Sequence, residues 1–373
     1  MIKIFTNSLG DEELKAVEET FKSQWIGLGP KTKEFEEALK KRIGANNCLM
    51  VNCCSAANLI ALKALGIGPG DEVIVSTINF VASASTVLEV GATPVFADVD
   101  SVYFNILPSE IKRLRNAKTK AVILLHYGGH PCDMDKLYEE CNGLFIIEDS
   151  ANSIVSKYKG KHCGTLGDAG FFSFDAMKIL STGDGGALVL KSEEAADRAF
   201  AFRYLGFDLK ESTGVDRLKV KKNRWWEFEL LTISNRYLMN DITASIGLVQ
   251  LKKLDSFIQR RKEIWNIYQK ELVGISSLIL PPEPLDGSES SYYLYWLRIT
   301  SGKRDELAMY LVDNGVYCTF RYYPLHLVKL YGSKNTLENA EDISETALNI
   351  PLTQNLTDTE IEKIIYHVKK FFS

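Results

Sequence analysis

Gly170-Phe171-Phe172-Ser173-Phe174-Asp175-Ala176-Met177-Lys178 leads through Ser181-Thr182-Gly183-Asp184-Gly185-Gly186 into Ala187–Leu190. Two short runs, Gly170–Phe174 and Ala187–Leu190, flank a lysine and a glycine turn. The runs are continuously apolar rather than alternating, which is how strands covered on both faces read. Similar runs stand upstream at Val73–Ser76, Pro94–Ala97, Ala121–Leu125 and Leu144–Glu148. Helical stretches fall between them at Ser55–Ala64, Ala82–Glu89 and Met134–Glu140. This alternation predicts an α/β fold, a mostly parallel sheet with helices on both sides. Ligands of such sheets bind beyond the C-terminal ends of the strands.

Farther out, residues 11–22 and 31–43 read as amphipathic helices, the second carrying Phe35, Leu39 and Ile43 on one face. A Gly/Pro-rich connector, Gln24 to Pro30, joins them. On the C-terminal side a helix is expected from Asp241 through Arg261 and beyond, then a loop at 281–291. A strand at Tyr292–Thr300, a helix at Lys303–Asn314 and a strand at Val316–Tyr322 follow, with final helices at Asn339–Leu348 and Asp358–Phe372. The expected division is a large α/β/α domain over residues 1–250 and a smaller C-terminal α+β domain over 251–373.

The 373 residues are 46% hydrophobic and 25% charged, an ordinary globular composition. A formal net charge of -4 argues against a mainly electrostatic nucleic-acid binder. No run of about 18 apolar residues predicts a membrane span. The N-terminus lacks a basic stretch followed by an apolar one, so a cytoplasmic protein is expected. Seven scattered cysteines with no C-x-x-C, and five histidines with no H-E-x-x-H, support neither a disulfide scaffold nor a metal site. No metal is expected.

Four segments carry candidate chemistry. Asn52-Cys53-Cys54-Ser55-Ala56-Ala57 opens a helix, where backbone N–H groups suit a phosphate; taken alone, the segment reads more readily as a helix start with Ser55 as its N-cap. Asp149 emerges from a buried strand and needs a cationic partner, either a metal or a protonated ring nitrogen; alone it could cap the next helix. Lys178 would lose proton affinity in an apolar pocket and become a nucleophile, whereas most lysines are solvated surface charges. Gly183 to Gly186 permits close backbone approach, or is simply a tight turn. A phosphate cradle, an acid, a serine and a lysine in this order suggest pyridoxal phosphate (PLP), which needs a phosphate anchor, an Asp beside its pyridine nitrogen and a Schiff-base lysine.

The chain resembles the DegT-type nucleotide-sugar aminotransferases, which have the fold-type-I PLP architecture. The resemblance is carried by Trp25 to Pro30, Ala64 to Val73 (ALGIGPGDEV), Glu148-Asp149-Ser150-Ala151, Lys159-Gly160-Lys161, Ser173-Phe174, Lys178, Gly183-Asp184-Gly185-Gly186 and Tyr322-Tyr323-Pro324-Leu325-His326. These stretches span nearly the whole chain in family order. The resemblance implies that Lys178 bonds covalently to the cofactor and then moves protons, and that Asp149 keeps the pyridine nitrogen protonated. It implies phosphate contacts from Ser173, Ser55 and the backbone at Cys54, an aromatic stack from Phe80, and a contact from Asn152 near the phenolic oxygen. It further implies a homodimer with shared active sites, in which Asn235 and Arg236 of one subunit reach the other's phosphate. Trp25, Gly27, Arg321, Tyr322 and His326 would lie toward the sugar substrate and its nucleotide.

The sequence departs from the family pattern in places. Cys54-Ser55 stands where Gly-Thr is usual, and Asn152 where Gln is usual. The Asn-aromatic-Arg pattern near Asn235-Arg236 is disturbed, and the stretch around Trp225-Trp226 is atypical. The activity implied is ping-pong transfer of an amino group from L-glutamate to a nucleotide-linked 3- or 4-keto-6-deoxy sugar, for cell-surface polysaccharide or glycan synthesis. The alternatives are a free keto-deoxy acid such as an octulosonate as acceptor, a PLP-dependent sugar dehydratase, a cysteine desulfurase-like enzyme, or a non-catalytic regulator that senses a sugar or the cofactor. The dehydratase subgroup replaces the lysine with His, so the presence of Lys178 favours transamination.

Overall fold

A computed structural model describes residues 1–207, 224 and 226–373. Its first two helices, α1 (Asp11–Lys22) and α2 (Pro30–Ile43), lie where the apolar spacing puts them. Pro30 starts α2 with its φ already helical, and Gly44 ends it at φ 68°.

The central sheet contains β1 (Leu49–Val51), β2 (Glu72–Ser76), β3 (Thr93–Ala97), β4 (Thr119–Leu125), β5 (Phe145–Asp149), β8 (Ala169–Ser173) and β9 (Gly186–Leu190). Its spatial order is β1-β9-β8-β5-β4-β2-β3. The pairs from β8 to β3 are parallel, and β9 runs against both its neighbours. Alternate residues of β2, β4 and β5 feed two cores. Val73, Val75, Ala121, Ile123 and Ile147 join one with Ala57 and Ile60 of α3 (Cys54–Ala64). Ile74, Val122, Leu124 and Ile146 join the other with Ile111 of α5 (Pro108–Leu114) and with Met134 and Leu137 of α6 (Met134–Glu140). Both faces of the sheet are therefore covered by helices, the α/β/α arrangement expected from the uninterrupted apolar runs.

Beyond α7 (Glu193–Arg203), the 32-residue helix α8 (Asp241–Leu272) belongs to two cores. Ala244 to Phe257 pack with the sheet, and Ile264 to Leu272 pack with a second cluster that includes Ile2. That cluster surrounds an antiparallel sheet of β10 (Leu278–Ile279), β12 (Tyr295–Ile299) and β13 (Ala347–Ile350).

Two C-terminal expectations are corrected. Val316–Tyr322 is not a strand: its partners change at every step, with single bridges from Val316 to Ile2 and from Thr319 to Asn349, while the Arg321 N–H donates to the Asn349 side chain. The helix expected over 339–348 stops at Thr346, because Ala347–Ile350 continues the ladder beside β12. Within the expected loop, β11 (Ser288–Glu289) pairs with β6 (Lys157–Tyr158), which also pairs with β7 (Lys161–His162). Trp225 and most of the atypical stretch around it lie outside the described residues.

Candidate active site

Strand ends and one helix start converge on a cavity of about 170 Å³. Asp149 is the last residue of β5 and Ser173 the last of β8. Cys54 and Ser55 begin α3, and Phe80 follows β2. Lys178, Asn152, Arg321 and Tyr322 complete the sequence-predicted residues that line it. Nine positions scattered over nearly 270 residues thus share one wall, because parallel strands end on the same edge of the sheet. Gly186 brings the glycine turn against the start of α3: a Cβ there would lie 2.8 Å from the Cys53 and Cys54 backbone.

Asp149 is buried. Its carboxylate accepts from the Ser83 hydroxyl at 3.2 Å and from the Ala151 N–H at 3.1 Å. Burial pushes its pKa up; the Ala151 N–H, the Lys178 charge and Ser83 oppose the shift. Lys178 is half-buried, with Nζ 4.8 Å from the centre of the Tyr293 ring. Burial works against its ammonium, but the acidic groups facing it, Tyr293, Tyr322, Cys54 and Asp149, leave its pKa above the ordinary lysine value. That reverses the direction expected from an apolar pocket alone. Burial also drives the Cys54 thiol well up, which makes it a poor nucleophile.

The donor set fits PLP. Asn58 Oδ1, Asn79 Nδ2, Asn152 Oδ1 and the Tyr293 hydroxyl are buried polar atoms without a partner, and all four residues line the cavity. Such atoms are costly unless something satisfies them. The hydroxyls of Ser55 and Ser173 stand with the N-terminus of α3 for a phosphate, Asp149 for a ring N–H, and Phe80 offers an aromatic face.

Other predicted residues lie elsewhere. His326 is buried away from the cavity, its Nδ1 2.7 Å from Thr77 Oγ1 and its Nε2 3.2 Å from Glu341. Trp25 is exposed and donates from its indole to the Leu28 carbonyl, while the Gly27 carbonyl accepts from the Asp241 N–H. Asn235 contacts the Tyr237 hydroxyl, and Arg236 lies 5.9 Å from the Tyr204 ring. Neither lines this chain's own cavity.

Sequence reading missed Ser83, Asn79 and Tyr293. A serine on the buried face of α4 (Ala82–Glu89) was the available hint for the first; nothing local marks the other two. A buried trio, His126, Glu148 and Cys163, lies outside the cavity. Two of its three members are engaged: Glu148 accepts from His126 and from the N–H groups of Gly164, Leu166 and Gly167, and His126 Nδ1 accepts from the Cys132 N–H. It fastens the loop before β8 to β5.

Among known proteins, the chain is 40% identical to dTDP-4-dehydro-2,3,6-trideoxy-D-glucose 4-aminotransferase of Saccharopolyspora spinosa, over 99% of this chain and 96% of that one. Its fold matches the crystal structure of the aminotransferase TlmJ from Streptoalloteichus hindustanus with a TM-score of 0.93 and 42% identity, covering 99% and 98% of the two chains. It also matches the PLP form of the sugar aminotransferase Spr1654 of Streptococcus pneumoniae, a protein described as putative, with a TM-score of 0.91 and 29% identity over 100% and 98%. The family model of the DegT/DnrJ/EryC1/StrS aminotransferases matches residues 7–369. With that match over nearly its whole length, and a cavity whose donors fit the cofactor, the chain belongs to the DegT/DnrJ/EryC1/StrS family and is a PLP-dependent sugar aminotransferase.

Proposed function

We propose that this enzyme moves the amino group of L-glutamate to C4 of a nucleotide-linked 4-keto-deoxy sugar. The observation that carries the reading is the convergence of Lys178, Asp149, Ser55 and Ser173 on one cavity at the strand ends. The relative from Saccharopolyspora supports the choice of a 4-keto sugar.

PLP bound in this cavity supplies an electron sink when the donor's Cα–H bond breaks. Lys178 would hold PLP through Nζ and, when free of it, would take the proton from Cα. Asp149, held by Ser83 and the Ala151 N–H, would offer its carboxylate to the ring nitrogen. Ser55, Ser173 and the backbone at Cys54 would hold the phosphate, Phe80 would cover the ring, and Asn152 would serve the phenolic oxygen. Asn152 Nδ2 contacts the Tyr322 hydroxyl at 3.3 Å, leaving Oδ1 free for that contact through a hydroxyl or water.

The two half-reactions share these residues, so ping-pong kinetics follow. The enzyme acts as a homodimer in which Asn235 and Arg236 of one subunit complete the other's phosphate site. All seven cysteines are free, which supports the reducing cytoplasm as its compartment. Among the described residues no helix is long and apolar enough to cross a membrane.

The test is direct. Borohydride reduction of the PLP-loaded protein, followed by digestion, is expected to place a pyridoxyl group on the Lys178 peptide. L-glutamate is expected to discharge the visible absorbance and release 2-oxoglutarate, and a 4-keto sugar linked to dTDP is expected to restore the absorbance. An untagged Lys178 peptide, or absorbance unchanged by L-glutamate, overturns the reading.

A further inference from the structure

Apart from Lys178, Arg321 is the one cationic residue among the described residues lining the cavity. Its backbone is held from both sides: its N–H donates to Asn349 Oδ1 at 2.8 Å, and its carbonyl accepts from the Tyr127 hydroxyl. Asn349 and Tyr127 are both fully buried and bonded to each other. The guanidinium is positioned as well. Its carbon lies 4.7 Å from the centre of the Phe5 ring and 5.9 Å from that of Tyr322.

Among the described residues this guanidinium faces no anion. Its one polar side-chain contact among them is Met177 Sδ at 3.1 Å from Nη2, a weak acceptor. No carboxylate stands within 4.0 Å of it among the described residues. The rim acids are committed elsewhere, Asp175 to the Met177 N–H and Asp184 to the Gly185 N–H. A half-buried fork of five N–H donors, fixed and unpaired, suits a planar carboxylate in two-point contact.

Its location narrows the choice of anion. The phosphate donors Ser55 and Ser173 belong to the helix start and to β8. Arg321 is linked to Lys178 through two stacked rings: Lys178 Nζ sits over Tyr293, Tyr293 stacks on Phe5 at 5.5 Å, and Arg321 lies over Phe5. An amino acid whose nitrogen reacts where the lysine amine reacts carries a carboxylate a few bonds away. We propose that Arg321 is the residue that binds a carboxylate of the amino donor and so selects an amino acid for the first half-reaction. This rests on the aminotransferase reading above and names the group that recognises its donor.

The experiment compares PLP-loaded wild type, Arg321→Gln and Arg321→Lys, with cofactor content matched by absorbance. Calorimetry uses glutarate as the carboxylate probe and dTDP, UDP and GDP as phosphate probes. L-glutamate is titrated against the rate at which the visible absorbance is lost. Arg321→Gln is expected to weaken glutarate binding and raise the half-saturating L-glutamate concentration by about 10- to 100-fold, as loss of a charge-assisted pair does. Affinity for the nucleotides is expected to stay within about twofold, and Arg321→Lys to fall between the two. Added guanidinium is expected to restore part of the donor dependence in Arg321→Gln. Unchanged glutarate and glutamate dependence overturns the proposal while the aminotransferase reading stands. A loss confined to nucleotide binding reassigns Arg321 to the sugar's phosphates and overturns it too. If L-glutamate leaves even the wild-type absorbance untouched, both fall together, and that result is told apart by the wild-type control.

Discussion

At the scale of single residues, Asp149 sets a conflict between stability and chemistry. Its carboxyl titrates above the ordinary range because burial costs the charged form more than Ala151, Lys178 and Ser83 return. Folding without the cofactor is therefore opposed once the unfolded carboxyl has ionised. The penalty is absent below the unfolded pKa of about 4, grows as pH rises, and is complete above the folded pKa. Asp149→Asn is expected to raise the melting temperature of the cofactor-free protein at pH 7, with the gain vanishing in acid. The same change is expected to lower turnover by about 100-fold or more, since no charge then faces the ring nitrogen. Thermal melts across pH and a turnover assay check the two halves separately. An Asn variant that melts lower than the parent at pH 7 removes the burial argument.

At the scale of elements, the start of α2 depends on a residue about 210 positions away. Asp241 opens α8, and its carboxylate accepts from the Lys31 N–H at 3.1 Å, the Thr32 N–H at 2.9 Å and the Thr32 hydroxyl at 2.8 Å. The first N–H groups of a helix have no partner within it, and α2 has no cap of its own at Gly29. Asp241→Ala leaves those donors buried and unmatched, at a cost of about 2–4 kcal/mol. A fall of several degrees in the melting temperature of the holoenzyme is expected, with Asp241→Asn falling less. The Trp25–Pro30 connector runs directly into those freed donors and loosens with them, although the backbone bond from the Asp241 N–H to the Gly27 carbonyl remains. Protease cleavage within 25–30 is expected to accelerate in the Ala variant and not in the parent.

At the scale of the whole molecule, the proposed homodimer makes a counting prediction. If Asn235 and Arg236 serve the partner's site, Lys178→Ala and Arg236→Ala damage opposite halves of each shared site. Mixing the two inactive proteins under conditions that exchange subunits makes half the dimers hybrids, and one of the two sites in each hybrid is intact. Activity is expected to recover to about a quarter of wild type, as two-fold symmetry requires. Activity that stays at the level of the separate variants rules out sharing through Arg236. The exposed apolar side chains near this segment, Leu230, Leu231 and Ile233, are consistent with a face that a second chain covers.

Strand-length apolar runs, read against helical spacing, were sufficient for the central sheet and its two layers of helices. Backbone groups buried on both faces leave parallel strands little choice of composition. The order of Ser55, Asp149, Ser173 and Lys178 along the chain was likewise readable, because each follows or precedes a regular element in a way that local chemistry constrains. Three-residue β1 left no such imprint, and the apolar segments at 316–322 and 347–350 were misassigned because their partners, Ile2, Asn349 and β12, are remote in sequence. Only the folded chain could pair Asp149 with Ser83, set Tyr293 beneath the Lys178 amine, take His326 away from the cavity and leave Arg321 without an anion among the described residues. Those contacts join residues from about 70 to more than 300 positions apart, and no local pattern of polarity encodes which distant groups close packing will bring within a few ångströms.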